Sequence, residues 1–170
     1  GIGLGAKNEG NAVYLADTPH LDLLMAKHPF LPIAAHGTAV GMASDADMGN
    51  SEVGHNAIGC GRVFDQGAKL VAQSIQTGAI FSGEIWKKAI DNVKTHQSAL
   101  HFISLLSDGN VHSHIDHLFA LIKKAESDGV KKVFIHILLD GRDVSETSAL
   151  LYVQPLEELL SKFNTNSRTF

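Results

Sequence analysis

A chain of 170 residues that is 44% hydrophobic and 19% charged carries enough apolar material for a packed core, which excludes a disordered composition. A net charge of −4 leaves no basic footprint for nucleic acid, and the lone cysteine, Cys60, excludes an intrachain disulfide and is expected as a small, semi-buried residue in a reducing compartment. No apolar run reaches the ~18 residues of a membrane span and the first residues lack a signal-peptide pattern, so the cytosol is the expected location.

The opening Gly1-x-Gly3-x-Gly5 has a superficial look of dinucleotide binding. It lacks a preceding strand, the full spacing and a suitable acidic residue, so that reading is rejected. Leu31 to Ala35 is expected as a short strand. Ser51 to Ile58 reads as a short helix that presents Ser51 at its N-terminus, where free N–H groups and the dipole favour an anion such as phosphate. Gly67 to Gly78 is expected to be helical, as is Ile85 to Val93 with Trp86 and Ile90.

The second half is more regular. Ala99 to Leu106 is a mostly apolar run that stops at Ser107-Asp108-Gly109, as a buried strand ending in a turn does. Ile115, Leu118, Phe119, Ile122 and Ala125 follow helical spacing until Gly129 stops them. Val133 to Leu139 is a second continuous apolar strand, and Ala149 to Phe163 reads as a helix that Pro155 starts or kinks. Strand, helix, strand, helix implies an α/β fold of parallel βαβ units. Ligands bind beyond the carboxyl ends of such strands, and residues 107–114 and 140–146 fall just there. His101 and His136 lie in the strands without an obvious partner and are expected to be structural; His36 and His55 also lack one.

Chemistry concentrates in three places. Met48-Gly49-Asn50-Ser51-Glu52-Val53-Gly54-His55-Asn56 sets one serine among glycines, with a histidine four residues on. Ser51 reads as a presented nucleophile or as a residue of ordinary N-cap chemistry. Arg142 suits a phosphate or carboxylate because its planar fork makes two hydrogen bonds at once. Asp143 is placed to orient that arginine or to take a proton from a hydroxyl, and His112 to donate to an anion. The bland alternatives are turn chemistry for Asp140-Gly141-Arg142-Asp143 and a solvated loop histidine for His112. His112, His114 and His117 have only a superficial metal look, since a zinc site needs several ligands in suitable geometry.

Met48 to Arg62 (MGNSEVGHNAIGCGR) is similar to the nucleophile segment of the cofactor-independent phosphoglycerate mutases. The stretches LLSDGNVHSH, ending at His114, and LDGRDV, ending at Val144, resemble that family's two substrate loops in the same order. The glycine-rich opening followed by Gly10-Asn11-Ala12 resembles its N-terminal turn, and Ala35 to Gly41 leans toward its plant and protist-type branch. The resemblance implies that Ser51 accepts the phosphoryl group and approaches a metal, and that His112, Arg142 and Asp143 bind substrate. It implies two divalent ions, expected as Mn2+ with Mg2+ or Co2+ as substitutes, and a monomeric enzyme that interconverts 3-phosphoglycerate and 2-phosphoglycerate. It further implies that residues 1–66 start an alkaline-phosphatase-like domain and residues 67–170 an inserted transferase domain. The family's opening metal-ligand aspartate is absent before Gly1, and the family enzyme is about three times longer, with its other metal ligands beyond the position of Phe170. The 170 residues by themselves are therefore expected to be inactive. A non-catalytic fragment and a related metallophosphatase are the alternatives.

Overall fold

The structure, a computed structural model, describes residues 2–164 and 169. Gly1 of the opening glycine pattern lies outside the described residues. The chain divides into two compact units, Gly1–Ile33 and Ala34–Phe170.

The first unit holds two helices that bury none of their residues, α1 (Ala12–Leu15) and α2 (Pro19–Lys27). Asn11 caps α1: its Oδ1 accepts the N–H groups of Val13 and Tyr14 at 3.1 and 3.2 Å, while its Nδ2 donates to the Ala6 carbonyl at 2.9 Å. Pro19 opens α2, where a missing N–H costs no helical bond. Neither helix was anticipated from the sequence pattern. The strand expected over residues 31–35 does not form. Leu31 and Ile33 stay exposed, Pro32 has no N–H to give, and an extended segment without a partner strand gains no ladder.

The second unit opens with a 3-10 turn (Gly37–Val40) and then α3 (Ser51–Cys60), α4 (Gly67–Gln76), α5 (Ala79–Ser82) and α6 (Glu84–Thr95). Strand β1 (Leu100–Leu106), α7 (Ile115–Ser127), β2 (Val133–Leu139) and α8 (Ala149–Phe163) complete the described elements. The strands pair in parallel from Leu100↔Val133 to Leu106↔Leu139, so both carboxyl ends emerge side by side. Thr169 pairs with Lys132, donating to the Lys131 carbonyl and accepting from the Val133 N–H. Gly129 takes φ +83 just after α7, the left-handed turn that a glycine permits and that sends the chain back into β2.

The core lies on one face of this two-stranded sheet. Leu106 packs with Ile115, Leu118 and Ile122 of α7 and with Leu156 and Leu159 of α8. A second cluster joins Ile90 and Val93 of α6 to Ala125, Val130 and Val133. Fully burying one such aliphatic side chain stabilises by roughly 1.5–3 kcal/mol, and this packing carries α8 straight through Pro155. Trp86 of α6 donates to Asp128 at 2.8 Å, fastening α6 to the end of α7.

Three expectations need correction. The strands are not buried on both faces: Ile103, Phe134 and Leu138 are exposed, because α6, α7 and α8 all cover the same side. Cys60 is exposed rather than semi-buried, since it ends α3 where Gly61 turns away at φ +64. His101 and His136 also prove to be partners, Nδ1 to Nε2 at 2.9 Å with stacked rings on the uncovered face. Among the described residues no helix is long and apolar enough to cross a membrane.

Candidate functional site

Ser51 is the first residue of α3, and its neighbour Asn50 does the capping. Asn50 is extended and its Oδ1 accepts the Val53 N–H at 3.0 Å. The Ser51 hydroxyl is therefore left out of the cap, exposed at a helix N-terminus whose unpaired N–H groups attract anions. Gly49 makes the approach: a Cβ there would lie 2.1 Å from the Ala35 carbonyl oxygen, so only glycine lets the chain pass residues 35–36 before reaching Ser51.

His55, one turn along, faces Ser51. Its Nδ1 lies 3.1 Å from the Ser51 hydroxyl and 2.6 Å from the Ser51 carbonyl oxygen. A carbonyl oxygen only accepts, so in this geometry Nδ1 carries the proton. His55 thus orients Ser51, and Nδ1 is not free to take the hydroxyl's proton.

The second group of residues grows from the strand ends. Ser107 follows β1 and Asp140 follows β2, one step beyond the Leu106↔Leu139 pair. The Ser107 hydroxyl donates to Asp140 Oδ2 at 2.6 Å, and Asp140 Oδ1 accepts the N–H groups of Gly141, Arg142 and Asp143 at 2.7, 3.0 and 3.1 Å. The Ser107 bond, followed by the backbone donors, holds the Asp140 carboxyl at about 2. Asp-Gly-Arg-Asp is thus turn chemistry, and the turn aligns Arg142 and Asp143 at the strand end. The loop after β1 lies against it: a Cβ on Gly109 would stand 2.7 Å from the Asp143 Cβ. His112 Nε2 reaches Asp143 Oδ2 at 3.8 Å, with the Asp143 side chain only 9% exposed. Tyr152 of α8 donates to Asp108 at 2.6 Å, and that bond raises the phenol's pKa.

His112 and Asp143 are therefore brought together, and Arg142 lies exposed beside Asp143. Among the described residues no hydrogen bond joins Ser51 to these three. A link between the two groups is Asn110 Nδ2, which donates to Asp47 Oδ1 at 3.1 Å. His114 is the N-cap of α7, its Nδ1 accepting the Asp116 N–H at 3.2 Å. Its ring lies 5.6 Å from that of His117, whose pKa is lowered by burial and then by His114. Sequence reasoning missed Ser107, Asp47 and Asn110. Asp140 carried a signal as the first residue of an Asx-type turn, but a pair 63 positions apart such as Asp47 and Asn110 carries none.

A pair of divalent ions needs several oxygen or nitrogen donors converging on each. Among the described residues no group of three His, Cys, Asp or Glu is arranged that way. Beside Ser51, His55 Nδ1 is already turned to a carbonyl. The described residues do not fit a metal centre by themselves.

Residues 71–169 match the family model described as the BPG-independent PGAM N-terminus (iPGM_N). The chain belongs to this family. A Leptospira interrogans relative named "Probable 2,3-bisphosphoglycerate-independent phosphoglycerate mutase" is 56% identical over 163 residues, which is 95% of this chain and 30% of the relative. The 2,3-bisphosphoglycerate-independent phosphoglycerate mutase of Trypanosoma brucei is 46% identical over 95% of this chain and 30% of its own length. Among solved structures, Leishmania mexicana phosphoglycerate mutase at low cobalt concentration matches 99% of this chain and 31% of that one, at 44% identity and a TM-score of 0.85. The chain thus spans about a third of the length of these relatives, and its α/β architecture with a small parallel sheet is shared with one of them.

Proposed function

We propose that the complete protein carrying this chain interconverts 3-phosphoglycerate and 2-phosphoglycerate through a phosphoserine at Ser51, without 2,3-bisphosphoglycerate. The observation that carries this reading is the 56% identity to a phosphoglycerate mutase relative over 95% of the chain. In the first half-reaction Ser51 Oγ attacks phosphorus, forming the Oγ–P bond as the bond from phosphorus to the glycerate oxygen breaks, and the serine proton is in balance taken up by that departing oxygen. In the second, the other glycerate hydroxyl gives up its proton and attacks phosphorus, the Oγ–P bond breaks, and Ser51 is released as the reprotonated hydroxyl. Holding the phosphoryl group on the protein lets the glycerate reorient between the steps. His112 and Arg142 are assigned to hold the phosphate and carboxylate, and Asp143 to orient Arg142 or to accept the proton of the attacking hydroxyl.

With this reading go two divalent ions, Mn2+ with Mg2+ or Co2+ in its place, most of whose ligands come from outside the described residues. Such ions supply charge neutralisation at phosphate, and the Leishmania relative was crystallised at low cobalt concentration. Residues 1–66 are assigned to a phosphatase-like domain and residues 67–170 to the first part of a transferase domain. A cytosolic monomer with a small phosphorylated acid as its partner, rather than nucleic acid or membrane, completes the assignment.

The test is product analysis by phosphorus NMR on the complete protein given 3-phosphoglycerate, Mn2+ and no bisphosphoglycerate. Appearance of 2-phosphoglycerate, lost on chelation and in Ser51→Ala, is expected. Release of inorganic phosphate instead would mean hydrolysis and a metallophosphatase; an absolute requirement for added 2,3-bisphosphoglycerate would end the reading.

A further inference from the structure

Ser107 and Asp140 are the most heavily bonded polar pair at the strand ends, and neither is among the residues assigned to substrate. Ser107 is 1% exposed. Its hydroxyl donates to Asp140 Oδ2 at 2.6 Å and accepts the Gly109 N–H at 3.4 Å, and its carbonyl accepts the Ile115 N–H at 2.8 Å. One buried residue therefore ties together the end of β1, the loop that carries His112, the start of α7 and the carboxylate after β2. Asp140 does the rest: its second oxygen gathers three successive N–H groups, those of Gly141, Arg142 and Asp143. With both oxygens engaged by four donors, the carboxylate stays ionised and holds the turn in one orientation.

We propose that Ser107 and Asp140 form a bracket that positions Arg142 and Asp143 through the backbone, setting the affinity for a phosphorylated hydroxy acid without touching it. The proposal rests on the reading that Arg142 and Asp143 bind substrate. Orientation of the 141–143 turn is over-determined by one carboxylate, and orientation of that carboxylate is fixed from the neighbouring strand. The two loops are held at contact distance as well, since Gly109 leaves no room for a Cβ against Asp143. Loosening the bracket moves the arginine fork off its target, and substrate binding tolerates such displacement poorly.

The experiment compares Ser107→Ala, Asp140→Asn and Arg142→Ala in the complete protein, by initial rates over a range of 3-phosphoglycerate and by thermal unfolding. Asp140→Asn keeps an oxygen for the three N–H groups and lets the Ser107 hydroxyl turn to accept, so it guards against a failure of Ser107→Ala to fold. The bracket predicts that KM rises about tenfold in Ser107→Ala, the size of one charge-assisted bond, and rises less in Asp140→Asn. A purely structural role lowers the unfolding temperature and the fraction of active molecules but leaves KM alone. Unchanged KM in both folded bracket variants, with KM raised in Arg142→Ala, overturns the bracket and spares the substrate reading. Unchanged KM in Arg142→Ala overturns the substrate reading and the bracket with it.

Discussion

Asn110 Nδ2 donates to Asp47 Oδ1 at 3.1 Å, and this bond joins the segment that presents Ser51 to the loop that carries His112. Asp47 stands four residues before Ser51, and Asn110 two before His112. Partial burial pushes the Asp47 carboxyl up, but the bonds from Asn110 and Ser44 outweigh it and leave it below its ordinary value, so the acceptor is ionised at neutral pH. Asn110 has φ +56, a left-handed conformation that glycine adopts without strain. Asn110→Gly therefore removes the side-chain bond while sparing the backbone. The expected loss is about three- to tenfold in kcat/KM, the size of one bond to a charged group. A double-mutant cycle with Asp47→Ala in the complete protein should be non-additive; additive losses would show that the pair is uncoupled.

The tautomer that the geometry imposes on His55 separates two roles at Ser51. Nδ1 donates to the Ser51 carbonyl oxygen at 2.6 Å and so cannot also receive the hydroxyl proton. Ser51→Ala is expected to abolish turnover and the phosphorylated intermediate, whereas His55→Ala should retain measurable activity, about ten- to a hundredfold down, as loss of an orienting contact does. Intact-mass spectra after mixing with 3-phosphoglycerate follow the phosphorylated form directly. Equal loss in both variants would make His55 the base.

Much of the second half was legible because its patterns are strong and local. Residues 133–139 form an uninterrupted apolar run, and Ile115, Leu118 and Ile122 repeat at helical spacing, so β2 and α7 appear where the pattern puts them. The start of the chain was not legible for the opposite reason. α1 and α2 bury nothing, so no apolar stripe announces them, and the run Leu31 to Ala35 looked like a strand but has no neighbour to pair with. At the site, residue types made Ser51, His112, Arg142 and Asp143 candidates, the family resemblance singled them out, and the strand-end rule put the last three beside the sheet. The contacts that arrange them, Ser107 with Asp140 and Asp47 with Asn110, join residues 33 and 63 positions apart, a separation at which periodicity and turn chemistry are silent.

Asp140 also sets a dependence on acid. Its carboxyl is held at about 2 against an ordinary 3.8, by the Ser107 hydroxyl first and the backbone donors next. A depressed carboxylate contributes stability that is fully present above the unfolded value and is lost as pH falls through the folded one, here between about 4 and about 2. The group is only partly buried and its turn is open to solvent, so screening keeps the contribution below about 1 kcal/mol. Thermal unfolding of Asp140→Asn should therefore fall less steeply than wild type over that window, with the curves converging at the acid end. Parallel curves would mean that the carboxylate is not selectively stabilised by folding.

Gly109 offers the sharpest steric test of the loop pair. It has no left-handed backbone to relieve, so Gly109→Ala acts through space alone. The added Cβ would sit 2.7 Å from the Asp143 Cβ, and the Asp143 side chain is too enclosed to step aside, so one loop has to shift. Overpacking of this kind costs about 1–3 kcal/mol, and the shift opens the 3.8 Å spacing between His112 and Asp143. Gly141→Ala is the internal comparison, because its Cβ would meet Glu146 Cα at 3.3 Å and needs only a small adjustment. KM for 3-phosphoglycerate should rise clearly in Gly109→Ala and little in Gly141→Ala, with unfolding temperatures ranked the same way. If Gly109→Ala lowers the unfolding temperature and leaves KM untouched, the loop contact serves folding alone and Asp143 is not held in place for substrate.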